Sequence, residues 1–141
     1  ISRSTFNNNT ANGPIGGGAI RGGNSSFISV EDSSFYKNFA SHENGSGGAI
    51  SIFSSSVNDP ASLNIFRATL TKNLANKDGG ALSLNGVGSS ADIAHTTIVE
   101  NKADIDTNGT GNGGGISVSN GSISLFNSIV ASNQDNSPNS K

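Results

Sequence analysis

The chain has no cysteine, three prolines, one tyrosine and little charge. Without cysteine it can form neither disulfides nor thiolate metal sites, so no covalent staple can stand in for a core. Charged residues make up 13% of the chain and the formal net charge is −2. Nucleic acids and anionic membranes are met by clustered Lys and Arg, so neither is an expected partner. Long hydrophobic runs are also missing. None approaches the roughly twenty residues that cross a bilayer as a helix, so no membrane span is expected in this segment. Ile1-Ser2-Arg3-Ser4 does not have the make-up of a signal peptide, and any export signal is expected outside these residues.

Hydrophobic residues account for 32% and aromatics for 6%, low for an ordinary globular core. Chains that stay disordered share this poverty but usually add high net charge or Lys/Glu/Pro tracts, which are absent here. About half of the residues are Ser, Asn, Gly or Thr. A fold built from them needs a regular geometry in which a thin core suffices.

That regularity is an internal repeat. Residues 1–9, 30–38, 65–73, 93–101 and 125–133 align over nine positions without a gap. The first position is Ile, Val or Leu, and the fourth is Ser, Ala or Thr. The sixth is Phe6, Phe35, Leu70, Ile98 or Val130, and the ninth is always Asn. Ala11, Ala40, Ala75 and Ala103 follow two residues later, with Asp135 departing in the last copy. A second block follows in the first four copies: Gly17-Gly18-Ala19-Ile20, Gly47-Gly48-Ala49-Ile50, Gly79-Gly80-Ala81-Leu82 and Gly113-Gly114-Gly115-Ile116. After it, Ile50-Ser51-Ile52, Leu82-Ser83-Leu84 and Ile116-Ser117-Val118 alternate apolar and polar. This predicts strands with one face inward and one outward.

The motif asparagines lie 29, 35, 28 and 32 residues apart, a spacing that fits one solenoid coil per repeat with loops absorbing the variation. No window holds a 3.6-residue apolar period long enough for a stable helix. The expected fold is all-β: a single segment over residues 1–141 forming a right-handed parallel β-helix of about five coils, each with three short strands. In such a stack like residues recur above one another at about 4.8 Å. Asn9, Asn38, Asn73, Asn101 and Asn133 then meet at a turn, where carboxamides can donate and accept between coils as an asparagine ladder. The alternative is a local role in which each Asn simply tolerates a left-handed turn. Paired glycines suit φ above zero or a corner too close to its neighbour for a side chain.

The alternation of Gly-Gly-Ala-Ile with Phe-x-x-Asn, literal at Phe6–Asn9 and Phe35–Asn38, resembles the repeats of chlamydial polymorphic outer membrane proteins. It covers nearly the whole chain, with Leu, Ile or Val replacing Phe in later copies. The resemblance implies a right-handed β-helix that is secreted or displayed at the cell surface, often adhesive, and binds a protein or glycan of a host or neighbouring cell.

Few residues carry chemistry. Asp104-Ile105-Asp106-Thr107-Asn108-Gly109 matches the opening of a calcium loop, with Asp104, Asp106 and Asn108 as oxygen donors. Gly115 stands where an EF-hand has its bidentate Glu, so the rival reading is a solvated Asp/Asn/Gly turn. The third column of the motif reads Arg3, Asp32, Arg67, His95, Asn127, which permits surface ion pairs but concentrates no catalytic cluster. His95 and His42 have no Ser, Cys or second His at a triad or metal spacing. No catalytic residue is expected. The first reading is a non-catalytic structural or adhesive module; the second is a polysaccharide-binding or polysaccharide-cleaving domain such as a lyase or glycoside hydrolase. Neither end carries an amphipathic cap, so the segment is expected to continue in a longer solenoid or to associate end to end.

Overall fold

A computed structural model of the chain describes residues 1–138. These contain strands and turns and no helix. In chain order the strands are β1 (Thr5–Asn7), β2 (Thr10–Ala11), β3 (Ile20–Gly22), β4 (Phe27–Glu31), β5 (Ser34–Tyr36), β6 (Phe39–Ala40), β7 (Ile50–Ser54), β8 (Ser62–Phe66), β9 (Thr69–Thr71), β10 (Leu74–Ala75), β11 (Leu82–Ala94), β12 (Thr97–Val99), β13 (Lys102–Ala103), β14 (Ile116–Phe126), β15 (Ile129–Ala131) and β16 (Gln134–Asp135). All pairings are parallel and all link one coil to the next. One sheet runs β1-β5-β9-β12-β15, a second β2-β6-β10-β13-β16, and the third collects β3, β4, β7, β8, β11 and β14. The chain is a parallel β-helix.

The coil count differs slightly from five. The first two sheets have five rungs, but the third side is filled only four times, ending at β14. There are thus four complete turns and the opening two strands of another. Strand lengths differ as well. The third side is split in the first two turns, as β3/β4 and β7/β8, but unbroken in β11 and β14. The connections at 23–26 and 55–61 interrupt it in the first two turns. In the third turn the path bends through Gly86 and Gly88 without leaving the sheet, at a shift in register between Asn85 and Ser90.

Register follows the gapless alignment. Phe6 pairs with Phe35, Phe35 with Leu70, Leu70 with Ile98 and Ile98 with Val130; Val30 pairs with Ile65, Ile65 with Ile93 and Ile93 with Leu125. Each column fills the interior with like shapes, and Phe35, Ile50, Leu63, Ile65, Leu70, Leu82 and Ile93 are fully buried. The Phe6 and Phe35 rings stack with centroids 4.7 Å apart and an interplanar angle of 2°, the spacing that the ladder of backbone hydrogen bonds imposes. A column needs only one apolar residue per turn to be continuous, which is how a chain so poor in hydrophobic residues closes a core.

The two glycines of each pair answer different constraints. Gly47 has φ +70, as Gly17, Gly79 and Gly113 have similar positive values, a region costly for any side chain with a Cβ. Gly48 lies where a Cβ would stand 2.1 Å from the carbonyl oxygen of Gly80 in the next turn, and Gly18 and Gly80 are placed alike. That contact is with backbone and cannot be relieved by a rotamer. Gly48→Ala is expected to lower unfolding free energy by about 3 kcal/mol or more, read as a fall in melting temperature; an unchanged melting temperature would contradict the stacked geometry.

Candidate functional site

The five motif asparagines form one vertical file. Asn9 Nδ2 donates to Asn38 Oδ1 at 2.8 Å, Asn38 to Asn73, Asn73 to Asn101, and Asn101 to Asn133, each of these last three at 2.9 Å. The same Oδ1 atoms accept the backbone N–H of the asparagine in the preceding turn, as from Asn38 to Asn73 at 3.0 Å and Asn73 to Asn101 at 2.9 Å. The second amide hydrogen goes to a strand carbonyl of that turn: Asn38 to Phe6, Asn73 to Phe35, Asn101 to Leu70 and Asn133 to Ile98. Asn38, Asn73 and Asn101 are fully buried. Only a carboxamide has both an acceptor able to take two donors and two donors of its own on one short arm.

The residue before each asparagine takes the left-handed conformation instead: Asn8, Lys37, Lys72, Glu100 and Ser132 have φ between 53° and 58°. Arg3, Asp32, Arg67, His95 and Asn127, in the third column, are left-handed too, with φ from 46° to 53°. These corners keep their coil-to-coil bonds, for example from Asp32 N–H to the Phe66 carbonyl and from Lys37 N–H to the Thr71 carbonyl. A hydroxyl file, the fourth column of the alignment, accompanies the first corner. Ser4 N–H donates to Ser33 Oγ, Ala68 N–H to Thr96 Oγ1, and Thr96 N–H to Ser128 Oγ. Ala68 interrupts it, having no oxygen to offer Ser33.

On the outer flank, Arg67 bridges two carboxylates of the preceding turn: Nε donates to Asp32 Oδ1 at 2.6 Å, and Nη2 donates to Asp32 Oδ2 and Glu31 Oε1. Its guanidinium also lies over the Phe66 ring, 4.2 Å from the centroid. Arg3 makes no ion pair among the described residues. Phe66 and Phe126 face outward, with the His95 ring edge-on between them at 5.2 and 5.9 Å. The hydrogen bonds from Arg67 hold the Asp32 carboxyl below the usual carboxylate range, with the Arg67 and Arg3 charges acting in the same direction and desolvation opposing them.

Loops of unequal length leave the second sheet at one corner and stack along one flank, at 12–19, 41–49, 76–81 and 104–115. In the last, each candidate calcium donor is engaged inside the turn. Both Asp104 carboxylate oxygens accept from Gly109 N–H at 3.2 and 3.3 Å; Asp106 Oδ2 accepts from Asn108 Nδ2; Asn108 Oδ1 accepts from Thr110 N–H and its hydroxyl. Among the described residues no group of three or more His, Cys, Asp or Glu side chains is placed to hold a metal. The same loops fold back over the third sheet. Ser51, Ser83 and Ser117, on its outer face, are buried beneath them. Alternation in the sequence pointed these serines outward but gave no sign that they are covered, because the cover comes from other turns.

Stacked parallel coils, an internal asparagine file and a flank of variable loops define a β-helix repeat protein. Residues 32–52, which span one Phe-x-x-Asn and one Gly-Gly-Ala-Ile, match the Chlamydia polymorphic membrane protein repeat. The chain is thus a parallel β-helix repeat protein, one repeat of which is similar to that of the Chlamydia polymorphic membrane proteins. No curated protein and no solved structure matches the chain significantly.

Two outcomes test this geometry. Asn73→Ala strips partners from Asn38 and from the Phe35 carbonyl inside a dry corner, and is expected to cost about 3 kcal/mol or more. Asn9→Ala, at the end of the file, should cost less; equal and negligible losses in chemical denaturation would contradict a cooperative ladder. In an NMR titration the Asp32 carboxyl should titrate below an ordinary aspartate and move back up in Arg67→Ala. Because its folded pKa is depressed, the pair's contribution to stability is present above the unfolded pKa and lost as pH falls through the folded value. A titration unaffected by Arg67→Ala would refute the assignment.

Proposed function

We propose that the chain is a non-catalytic module of a secreted or cell-surface protein, a rigid rod that presents loops of variable length to a protein or glycan of a host or neighbouring cell. One observation carries this reading: nearly all variation in coil length is confined to exposed connections, while the columns beneath them repeat. Binding residues concentrate on loops held by a rigid scaffold. A β-helix is rigid because each rung is hydrogen-bonded on both sides and its core columns are continuous. The repeat of a surface-associated family supports display outside the cell.

The outer face supports a binding role better than a catalytic one. The paired carboxylates Glu31 and Asp32 are both engaged by Arg67, and among the described residues His95 is packed between phenyl rings with no carboxylate or nucleophile hydrogen-bonded to its side chain. No arrangement of acid, base and nucleophile among the described residues meets the geometry such chemistry requires.

The test is a binding and turnover assay on a glycan array and on cultured cells. The native chain is compared with one whose 104–115 loop is exchanged for the shorter 76–81 loop. Saturable binding that the exchange weakens, at an unchanged melting temperature and without turnover, is the expected result. Depolymerisation of an arrayed polysaccharide, or absence of binding to any surface, would overturn the proposal.

A further inference from the structure

The loop flank contains a groove whose polar groups are only partly used by the fold. It has a volume of about 300 Å³, at the lower end of the roughly 300–1,000 Å³ typical of ligand sites. Pro14 and Ile15 from the first turn form one wall, and Asn44, Ser46, Lys77 and Asp78 from the next two turns form the other. The outer face of β7 and β11 provides the floor, with Ser51, Phe53, Ser83 and Asn85.

The floor is tied down on one side and open to the groove on the other. Ser51 Oγ donates to the Ile15 carbonyl at 3.0 Å and ties the first wall down. Ser83 is only 4% exposed, it lines the groove, and its hydroxyl makes no hydrogen bond to any described residue. The Ser83 hydroxyl opens into the groove and is free to exchange water for a ligand hydroxyl. Beside it, Asn85 accepts from Asn120 through Oδ1 at 3.1 Å, while its own amide hydrogens have no acceptor among the described residues. Asp78 is held by Ser46 Oγ and Asn112 Nδ2 at 3.4 and 3.2 Å, and among the described residues the Lys77 ammonium has no carboxylate within ion-pair distance.

From this arrangement we infer that the groove is a binding subsite for a neutral saccharide, with the Phe53 ring as its apolar platform and Ser83, Asn85, Lys77 and Asp78 meeting the hydroxyls. Sugar hydroxyls donate and accept at once, which matches an ammonium and a carboxylate on adjacent residues. An anionic ligand would meet the Asp78 charge, and a wholly apolar one would leave Ser83 and Asn85 without partners. The inference rests on the reading of the chain as a surface-binding module and names the ligand class of one site on it.

The test uses the intact chain, labelled for NMR, titrated to tens of millimolar with methyl glucopyranoside, methyl galactopyranoside and N-acetylglucosamine, and separately with glucuronate. Saturable shifts for at least one neutral sugar, centred on Phe53, Lys77, Ser83 and Asn85, are expected. Phe53→Ala should weaken binding at least tenfold. Ser83→Ala should weaken it while leaving the melting temperature unchanged, because the hydroxyl has no structural partner to lose; a clear fall in melting temperature would show a structural role and overturn the assignment. Shifts with glucuronate alone, or with none of the four sugars, would also overturn it. If the chain binds cells or arrayed glycans and the Phe53 and Ser83 variants bind them equally well, the groove assignment falls while the surface-module reading stands.

Discussion

Each motif asparagine sits where the chain turns out of one sheet and into the next, a place where backbone groups lose their strand partners within a dry interior. The carboxamide supplies the missing partners and takes its own from the turns on either side. Because Oδ1 receives two donors from one neighbouring turn and Nδ2 donates to both neighbours, no asparagine can be satisfied unless both adjacent turns are in register. The rest of the molecule depends on that condition. Once successive turns are locked in line, Phe stacks on Phe, alanine on alanine, and one apolar residue per column per turn is enough to exclude water.

The corners also explain where freedom is allowed. Ten non-glycine residues occupy left-handed conformations in two columns, each costing roughly 1–2 kcal/mol relative to the right-handed alternative. The coil-to-coil hydrogen bonds and the buried columns overdetermine them, so residues as different as Arg67, His95, Lys72 and Glu100 are accepted there. Their side chains point away from the core and are unconstrained by it. One such column has accumulated an Arg67–Asp32 pair and the other two lysines, Lys37 and Lys72, with no effect on the path of the chain. The scaffold therefore separates the columns that fold it from the positions that can vary for binding.

Loops contribute more than variable display. By folding back over the third sheet they convert part of an outer face into an interior, covering the serine column and creating a groove with hydroxyl, amide, ammonium, carboxylate and aromatic groups close together. None of these residues adjoins all the others in sequence: Pro14, Phe53, Lys77 and Ser83 come from three successive turns. A solenoid brings such residues together along its axis at the spacing of its rungs, and a ligand spanning two or three rungs is read by several repeats at once.

The amino-acid order alone determined the repeat, its register, the inward columns, the asparagine file and the need for glycine at paired positions, because each is a local requirement that recurs once per turn and therefore shows as a column. The number of closed turns, the fusion of two strands into the long β11 and β14, the engagement of Asp104 and Asp106 within their own turn, the pairing of Arg67 but not Arg3, and the covered serines were decided only by tertiary structure. These depend on which loop lies over which sheet and on which side chain reaches across a gap. Such contacts happen once, between residues of different turns, and leave no periodic trace in the sequence.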